Sequence, residues 1–458
     1  MRDLDQIIKA YDVRGTYPDQ LNADLAREVG VAFVEVLGIR KSQGGAGAVV
    51  IGHDMRPSGP ELVAAFADGV KSQGVDVIQI GLASTDALYF ASGHLNLPGA
   101  MFTASHNPAE YNGIKLCKAG AAPVGQESGL AEIKKLISAG WKSEYSGEVG
   151  TESSQDLVGE YANYLHKLVD LSGIRPLKVV VDAGNGMGGF TVPAVLSGLP
   201  LEIVEMYFEL DGTFPNHEAN PIDPENLRDL QAKVRATGAD IGLAFDGDAD
   251  RCFVVDETGG IVSPSILTAL IADRELKKFP GSAIIHNLIT SWSVPEIVKE
   301  NGGTAVRTRV GHSFIKATMA ETNAVFGGEH SGHFYFRDFW RADSGMLAAL
   351  HALAALGETA EGTTFSSILQ PYQRYVESGE INSTVADAKA TMAAIKAVYE
   401  LKPELSLDEL DGLTVAADEW WFNVRASNTE PLLRLNVEAK TQAKVDELVT
   451  EVLKLIRG

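Results

Sequence analysis

Cysteine is nearly missing from the chain. Cys117 and Cys252 are two among 458 residues, too few for a disulfide framework and not at the paired spacing of a metal site. Positive charge is scarce as well. Against 61 acidic residues stand 39 basic ones, a formal net charge of −22. Such a chain repels nucleic-acid backbones and acidic membrane surfaces, so no nucleic acid and no membrane is an expected partner. Long apolar runs are also lacking. The most apolar helical stretch, Gly345 to Gly357, is shorter than a membrane span and contains His351, which predicts a buried helix. The segment Met1-Arg-Asp-Leu-Asp-Gln-Ile-Ile has no signal-peptide core, so Asn382-Ser-Thr384 carries no weight as a glycosylation site and a cytoplasmic location is expected.

What is present is an ordinary globular composition, 45% hydrophobic and 22% charged, in a chain too long for one core. An anionic substrate remains compatible with the acidic total, provided its cations are gathered locally. Arginine or lysine inside a polar loop is therefore more informative here than in a basic protein.

One pattern recurs three times. The apolar run Ala48 to Asp54, a helix from Pro60 to Ser72 and a second run, Val75 to Gly81, set it out first. It returns as Lys178 to Gly184, a helix over Thr191 to Leu196 and Leu201 to Glu205. It returns again as Ser282 to His286, a helix from Val294 to Glu300 and Thr304 to Thr308. Short apolar runs alternating with helices indicate buried strands joined by helical crossovers. The last part differs: a strand around Glu377 to Val385, a helix from Ala388 to Leu401, three strands between Leu413 and Val437, and a closing amphipathic helix. The expectation is an α/β protein with three tandem similar mixed α/β domains plus a C-terminal α+β domain with an antiparallel sheet. The boundaries are 1–150, 151–258, 259–370 and 371–458.

Four polar loops could hold chemistry. Thr103-Ala-Ser-His-Asn-Pro108 delivers Ser105 into a loop stiffened by Pro108, although Ser, Asn and Pro also make plain solvated turns. Asp246-Gly-Asp-Ala-Asp250, followed by Arg251, crowds three carboxylates between two apolar runs. Like charges so close call for a cation, and hard oxygen donors suit Mg²⁺. An EF-hand is excluded, because its sixth position is Arg251 where glycine is required and the flanks are strands. Gly327-Gly-Glu-His-Ser-Gly-His333 groups Glu329, Ser331 and His333, which are hydrogen-bonding partners suited to sugar hydroxyls. Arg425-Ala-Ser-Asn-Thr429 offers a guanidinium with hydroxyl and amide groups, a phosphate-binding set. Each could instead be a polar turn. A fifth stretch, Gly184-Asn-Gly-Met-Gly-Gly189, matches the dinucleotide fingerprint, with Glu205 where a ribose-binding acid would sit. A nicotinamide-dependent oxidoreductase is thus a competing reading.

Taken in order, the four loops resemble those of the α-D-phosphohexomutase family, in its phosphomannomutase/phosphoglucomutase branch. The resemblance spans essentially the whole chain, with Tyr11-Asp-Val-Arg-Gly15 and Tyr111-Asn-Gly-Ile-Lys115 fitting too. It implies four domains around a central cleft. It also implies a phosphoryl group carried on Ser105, with Mg²⁺ held by Asp246, Asp248 and Asp250 together with phosphorylated Ser105. The substrate would be a hexose monophosphate, with a hexose 1,6-bisphosphate as intermediate and activator. Arg425, Ser427, Asn428 and Thr429 would bind the substrate phosphate, Glu329 and Ser331 the sugar. Tyr11, His106 and Arg251 would contact substrate. Arg14 and Lys115 would line the centre with His312 and His333, and the general acid and base stay open among Lys115, His312 and His333.

One departure bears on the sugar. Relatives that use two substrates carry a lysine or arginine after the first strand of the third domain, whereas this chain reads His286-Asn-Leu-Ile-Thr-Ser-Trp292. Either another residue supplies that charge or Trp292 packs on the substrate. His330 and His333 around Ser331-Gly332 resemble the mannose-type branch, a resemblance that implies mannose phosphate, with glucose or dual use next and a catalytically silent phosphosugar-binding protein as a further alternative. Monomer and dimer both stay open.

Overall fold

A computed structural model of the chain describes residues 3–426 and 432–458. It divides into two compact units, Met1–Val262 with Ser331–Ser366, and Ser263–His330 with Ser367–Gly458. The architecture is three mixed α/β domains followed by a domain with an antiparallel sheet.

In the first sheet, Ala48–His53 lies parallel between Asp76–Leu82 and Gly99–Phe102. Its Val49, Val50 and Ile51 are fully buried, as an uninterrupted apolar run requires. Tyr111–Lys118 then adds antiparallel to Gly99–Phe102, and Val13–Thr16 antiparallel to that. The polar stretch after Gly140 does more than connect domains, because Glu152–Ser154 runs parallel beside Asp76–Leu82. Three exposed polar residues give no alternating apolar signal. Their position is held instead by the Thr151 N–H donating to Asp76 Oδ1 at 2.7 Å and by Lys71 pairing with Glu152 at 2.6 Å.

The second sheet runs Ile261–Val262, Cys252–Asp256, Ile241–Phe245, Leu177–Asp182, Leu201–Met206. The helix joining Leu177–Asp182 to Leu201–Met206 spans Gly188–Leu196, three residues earlier than the Thr191 start read from the sequence. Glycine is a poor helix former. Here a side chain at Gly189 would lie 2.2 Å from the Phe208 carbonyl oxygen, so only glycine fits. The hairpin Phe334–Phe336 with Ala342–Asp343 and the buried helix Gly345–Gly357 also belong to this first unit.

In the second unit, Ala283–Asn287 lies parallel between Thr304–Thr308 and Phe326–Gly328. The last domain places Trp420–Ala426 antiparallel between Leu413–Ala416 and Leu432–Ala439. Ile395 and Tyr399 from helix Ala388–Tyr399, and Val445, Leu448 and Val452 from helix Gln442–Arg457, bury against that sheet. The strand expected over Glu377 to Val385 is two strands, Val376–Glu377 and Ile381–Thr384, both pairing with Leu432–Ala439. Gly379, at φ +68°, breaks them. Among the described residues, no helix is long and apolar enough to cross a membrane.

Candidate active site

Neighbouring strands gather the first unit's polar groups. Strand Gly99–Phe102 pairs with Tyr111–Lys118 so that Met101 faces Lys115, and the loop between them carries Ser105. Arg14 faces Gly113 on the next strand. Ser105 itself is left-handed, at φ +51°, which is uncommon for a residue with a side chain. Its N–H donates to Thr103 Oγ1 at 2.9 Å, and its hydroxyl donates to Asp246 Oδ2 at 2.9 Å, 141 residues away in sequence.

Asp246 to Arg251 forms the hairpin loop between Ile241–Phe245 and Cys252–Asp256, with Phe245 opposite Cys252. All three carboxylates are buried. Arg251 donates to Asp246 through its own N–H at 3.1 Å and through Nε at 2.9 Å. Lys115 Nζ donates to Asp248 Oδ2 at 2.8 Å and to Asp250 Oδ2 at 2.7 Å. Thr85, at the first turn of helix Thr85–Leu95, adds a hydroxyl bond to Asp248 Oδ2 at 2.6 Å and a backbone bond to its carbonyl at 2.9 Å.

Burial and the neighbouring acids govern how these groups ionise. Burial pushes Asp246 up to about 8, against the pull of Arg251. Burial and Asp250 also push Asp248 up, but Lys115 and Thr85 outweigh them and the net direction is downward. Asp250 likewise ends low, burial being overcome by Lys115 and His333. Lys115 is held well above its ordinary value, because the two carboxylates overcome its own desolvation.

Asp248 Oδ1 and Asp250 Oδ1 are buried with no hydrogen-bond partner among the described residues. One oxygen of each of Asp246, Asp248 and Asp250 lies within 4.8 Å of the others. A hard cation with oxygen donors fits this set.

His106 Nδ1 lies 2.6 Å from Arg251 Nη2 and 3.2 Å from Ser105 Oγ. Burial, then Arg251 and Arg14, hold its ring well below the usual histidine range, so it is neutral and accepts from the guanidinium. Arg14 donates to Asn107 Oδ1 at 2.6 Å and Asp12 Oδ2 at 2.5 Å, and half-buried Tyr11 precedes its strand. His333 lies 3.8 Å from Asp250 Oδ1, with Ser331 Oγ 3.1 Å from its Nδ1. Asp343 joins Asp250 and His333 in a second close donor group.

The boundary between the two units falls inside Gly328 to His333, after His330. In the second unit, Glu329 Oε1 accepts from Asn287 Nδ2 at 3.3 Å and from the Gly311 N–H at 3.2 Å. Arg425 donates to Glu380 at 3.1 Å, and Arg434 pairs with the same carboxylate at 3.4 Å. Burial pulls Arg425 below its ordinary value. The Trp292 backbone N–H donates to Glu438 at 2.9 Å, and its ring meets Tyr375 edge-on, the centroids 5.9 Å apart. Ser427, Asn428 and Thr429 lie outside the described residues, as does the side chain of His312.

Several contributors escaped the sequence reading: Arg56, Thr85, Glu380 and Arg434. Arg56 lies between the run Ala48 to Asp54 and the helix from Pro60. A cation inside a loop of so acidic a chain was the signal that could have found it.

The glycine-rich loop is spoken for by the protein itself. The Met187 N–H donates to the Gly247 carbonyl at 2.9 Å and the Asn185 N–H to Tyr207 at 2.9 Å. A side chain at Gly186 would lie 2.6 Å from the Gly247 oxygen. A pyrophosphate needs those N–H groups and that approach. Here the Met187 N–H and the close approach at Gly186 serve the loop that carries the carboxylates, and the Asn185 N–H is taken by Tyr207.

Four family models cover nearly the whole chain. They are the phosphoglucomutase/phosphomannomutase alpha/beta/alpha domains I, II and III, over residues 5–143, 159–260 and 263–375, and the C-terminal domain over 380–455. Phosphohexose mutases of Xanthomonas campestris are 43% identical over 456 residues, 98% of this chain and 99% of theirs. A phosphomannomutase of Salmonella montevideo is 38% identical over 459 residues, covering 98% of each. The crystal structure of a phosphoglucomutase/phosphomannomutase family protein from Burkholderia thailandensis superposes with a TM-score of 0.89 at 34% identity, covering 100% of this chain and 98% of that one. Such coverage, on top of a buried serine-and-carboxylate centre, settles the class: the chain belongs to the phosphoglucomutase/phosphomannomutase family and is a phosphohexomutase.

Proposed function

We propose that the chain is a phosphomannomutase, interconverting mannose 1-phosphate and mannose 6-phosphate through phosphorylated Ser105 and a hexose 1,6-bisphosphate. The observation that carries this reading is the Ser105 hydroxyl 2.9 Å from Asp246 at the edge of a buried carboxylate loop. Residues 1–150 would carry the phosphoserine, 151–258 the metal loop, 259–370 the sugar-reading groups and 371–458 the phosphate site. Asp246, Asp248, Asp250 and the phosphate on Ser105 would hold Mg²⁺, which when bound neutralises charge on the transferring group.

In the first half-reaction the free hydroxyl of the sugar attacks the phosphorus on Ser105. The bond to Oγ breaks, a bond to the sugar oxygen forms, and the hydroxyl proton passes to His312 or His333 as base, with Lys115, charged beside its two carboxylates, the candidate acid. The bisphosphate then turns around and its other phosphate returns to Ser105, leaving the isomeric monophosphate. Arg14, His106 and Arg251 surround the transferring group. One phosphate site built on Arg425, with Ser427, Asn428 and Thr429, serves either end of the sugar, and Glu329 and Ser331 read its hydroxyls, with Tyr11 a further contact.

The names of relatives support a hexose phosphate substrate, and phosphomannomutases recur among them. A dual mannose and glucose activity is the second reading, favoured by the broader name of the Xanthomonas proteins. The discriminating experiment assays mannose, glucose and glucosamine 1-phosphates side by side, with Mg²⁺ and catalytic hexose 1,6-bisphosphate. Mannose phosphate should give the highest kcat/KM. Comparable glucose turnover would establish dual use, whereas binding without turnover of any hexose phosphate would contradict the mutase.

A further inference from the structure

Beneath Ser105 lies a buried arginine that no part of this mechanism uses. The Arg56 side chain is fully buried beside Asp54, whose Oδ2 accepts from Nε at 3.2 Å and whose Oδ1 accepts from the Arg56 N–H at 3.0 Å. The rest of the guanidinium is spent on the phosphoserine loop. Nη2 donates to the Ser105 carbonyl at 3.0 Å and to the Asn107 carbonyl at 2.6 Å. Nη1 donates to the Pro108 carbonyl at 2.8 Å and to the Tyr111 carbonyl at 2.9 Å. Three backbone carbonyls of the loop and that of Tyr111, where the next strand begins, are thus gathered on a single planar fork.

That loop needs holding. Ser105 is left-handed at φ +51°, a conformation costing a non-glycine residue of order 1 kcal/mol or more that persists only when its surroundings over-determine it. Its carbonyl is fixed from a second side, since a side chain at Gly247 would lie 2.4 Å from it. Arg56 is in turn clamped by the second domain. The Phe214 ring lies 5.2 Å from its guanidinium carbon, and a side chain at Gly212 would come 2.7 Å from its Cα.

We infer that Arg56 is a positioning residue for phosphoryl transfer, fixing the backbone of Ser105 so that its Oγ meets the carboxylate loop. The inference rests on the reading of Ser105 as the phosphoryl carrier. Lysine in its place keeps a charge but lacks the fork, and cannot hold four carbonyls and Asp54 together. Nothing in this geometry touches the sugar, so the effect belongs in the transfer step and leaves monophosphate binding alone. A misplacement of the reacting group by about 1 Å costs on the order of 10²-fold in rate.

The test compares wild type, Arg56→Lys and the milder Asp54→Asn, each with its melting temperature. Rapid-quench mass spectrometry follows phosphoryl transfer from glucose 1,6-bisphosphate to Ser105, and steady-state assays give kcat and KM. Arg56→Lys should slow transfer about 10²-fold with KM within about twofold. Asp54→Asn, which loosens the fork but keeps it, should slow transfer about tenfold. Should Arg56→Lys fail to fold, the Asp54→Asn rates decide. Transfer within about threefold of wild type in a folded variant would overturn the positioning role, and so would a loss explained wholly by a raised KM. Absence of transfer to Ser105 in wild type would overturn the phosphoserine reading instead, so the two failures are distinguishable.

Discussion

The two compact units handle buried charge differently. In the first, buried carboxylates face cations: Asp248 and Asp250 meet Lys115 from 133 and 135 residues away, while Asp246 meets Arg251 and Asp54 meets Arg56 within their own loops. In the second, Arg425 and Arg434 share Glu380 at half-buried positions, and Glu438 is fully buried with indole and backbone N–H partners. The first arrangement is costly to disturb, since removing one partner of a buried pair costs about 3–5 kcal/mol. The second leaves its shared carboxylate, Glu380, 27% exposed. A reacting centre gains from preorganised charge, whereas groups that must take up and release a phosphate gain from being exchangeable.

The largest break in that contrast should come from the first unit. Asp248→Asn removes charge facing both Lys115 and the cation site, and should lower kcat about 10²–10³-fold in saturating substrate and Mg²⁺. Arg425→Gln, in the second unit, should act mainly on binding. It should raise KM for the hexose monophosphate roughly 10- to 100-fold, the equivalent of one charge-assisted hydrogen bond, while kcat falls less. A kcat loss as large as that of Asp248→Asn would erase the distinction between the units. Smaller again is Thr85→Val, which deletes the hydroxyl bond to Asp248 at nearly constant volume. It should cost about 1 kcal/mol, roughly a fivefold fall in kcat.

The smallest effect on activity, and the sharpest on stability, lies at Glu438. Burial pushes it up to about 7, beyond what Ser291, Trp292 and Trp421 offset. A carboxyl raised on folding stabilises the protein fully below its unfolded pKa and loses that contribution as pH rises through its folded one. Relative to Glu438→Gln, wild type should therefore lose about 3 kcal/mol between pH 4.5 and pH 8 in urea titrations. A difference independent of pH would mean that Glu438 is charged in the fold.

Much of this was legible before any coordinates. Apolar runs on either side of Asp246 to Arg251 marked a loop between strands, and three alternate carboxylates within it marked a candidate cation site. The carboxylate loop and Ser105 meet across 141 residues, so no local pattern could join them, and the order of four polar loops along the chain did so instead. Arg56 and Thr85 stayed hidden because each looks like an ordinary crossover-loop residue until its partners arrive, for Thr85 from 163 residues away. The strand Glu152–Ser154 stayed hidden because its pairing rests on backbone and ion pairs, with no apolar face. The glycine fingerprint misled because close backbone approach demands glycine whether the neighbour is a pyrophosphate or, as at Gly186, another loop.

The central claim is that Ser105 carries the phosphoryl group. It is tested most directly by incubating the protein with glucose 1,6-bisphosphate and Mg²⁺, weighing the peptide that holds Ser105, and chasing with mannose 1-phosphate. The expected result is one phosphoryl group on Ser105 that is lost on the chase as mannose 1,6-bisphosphate forms, with neither event in Ser105→Ala. Full mutase activity in Ser105→Ala, or a phosphoserine that survives the chase, would contradict the account.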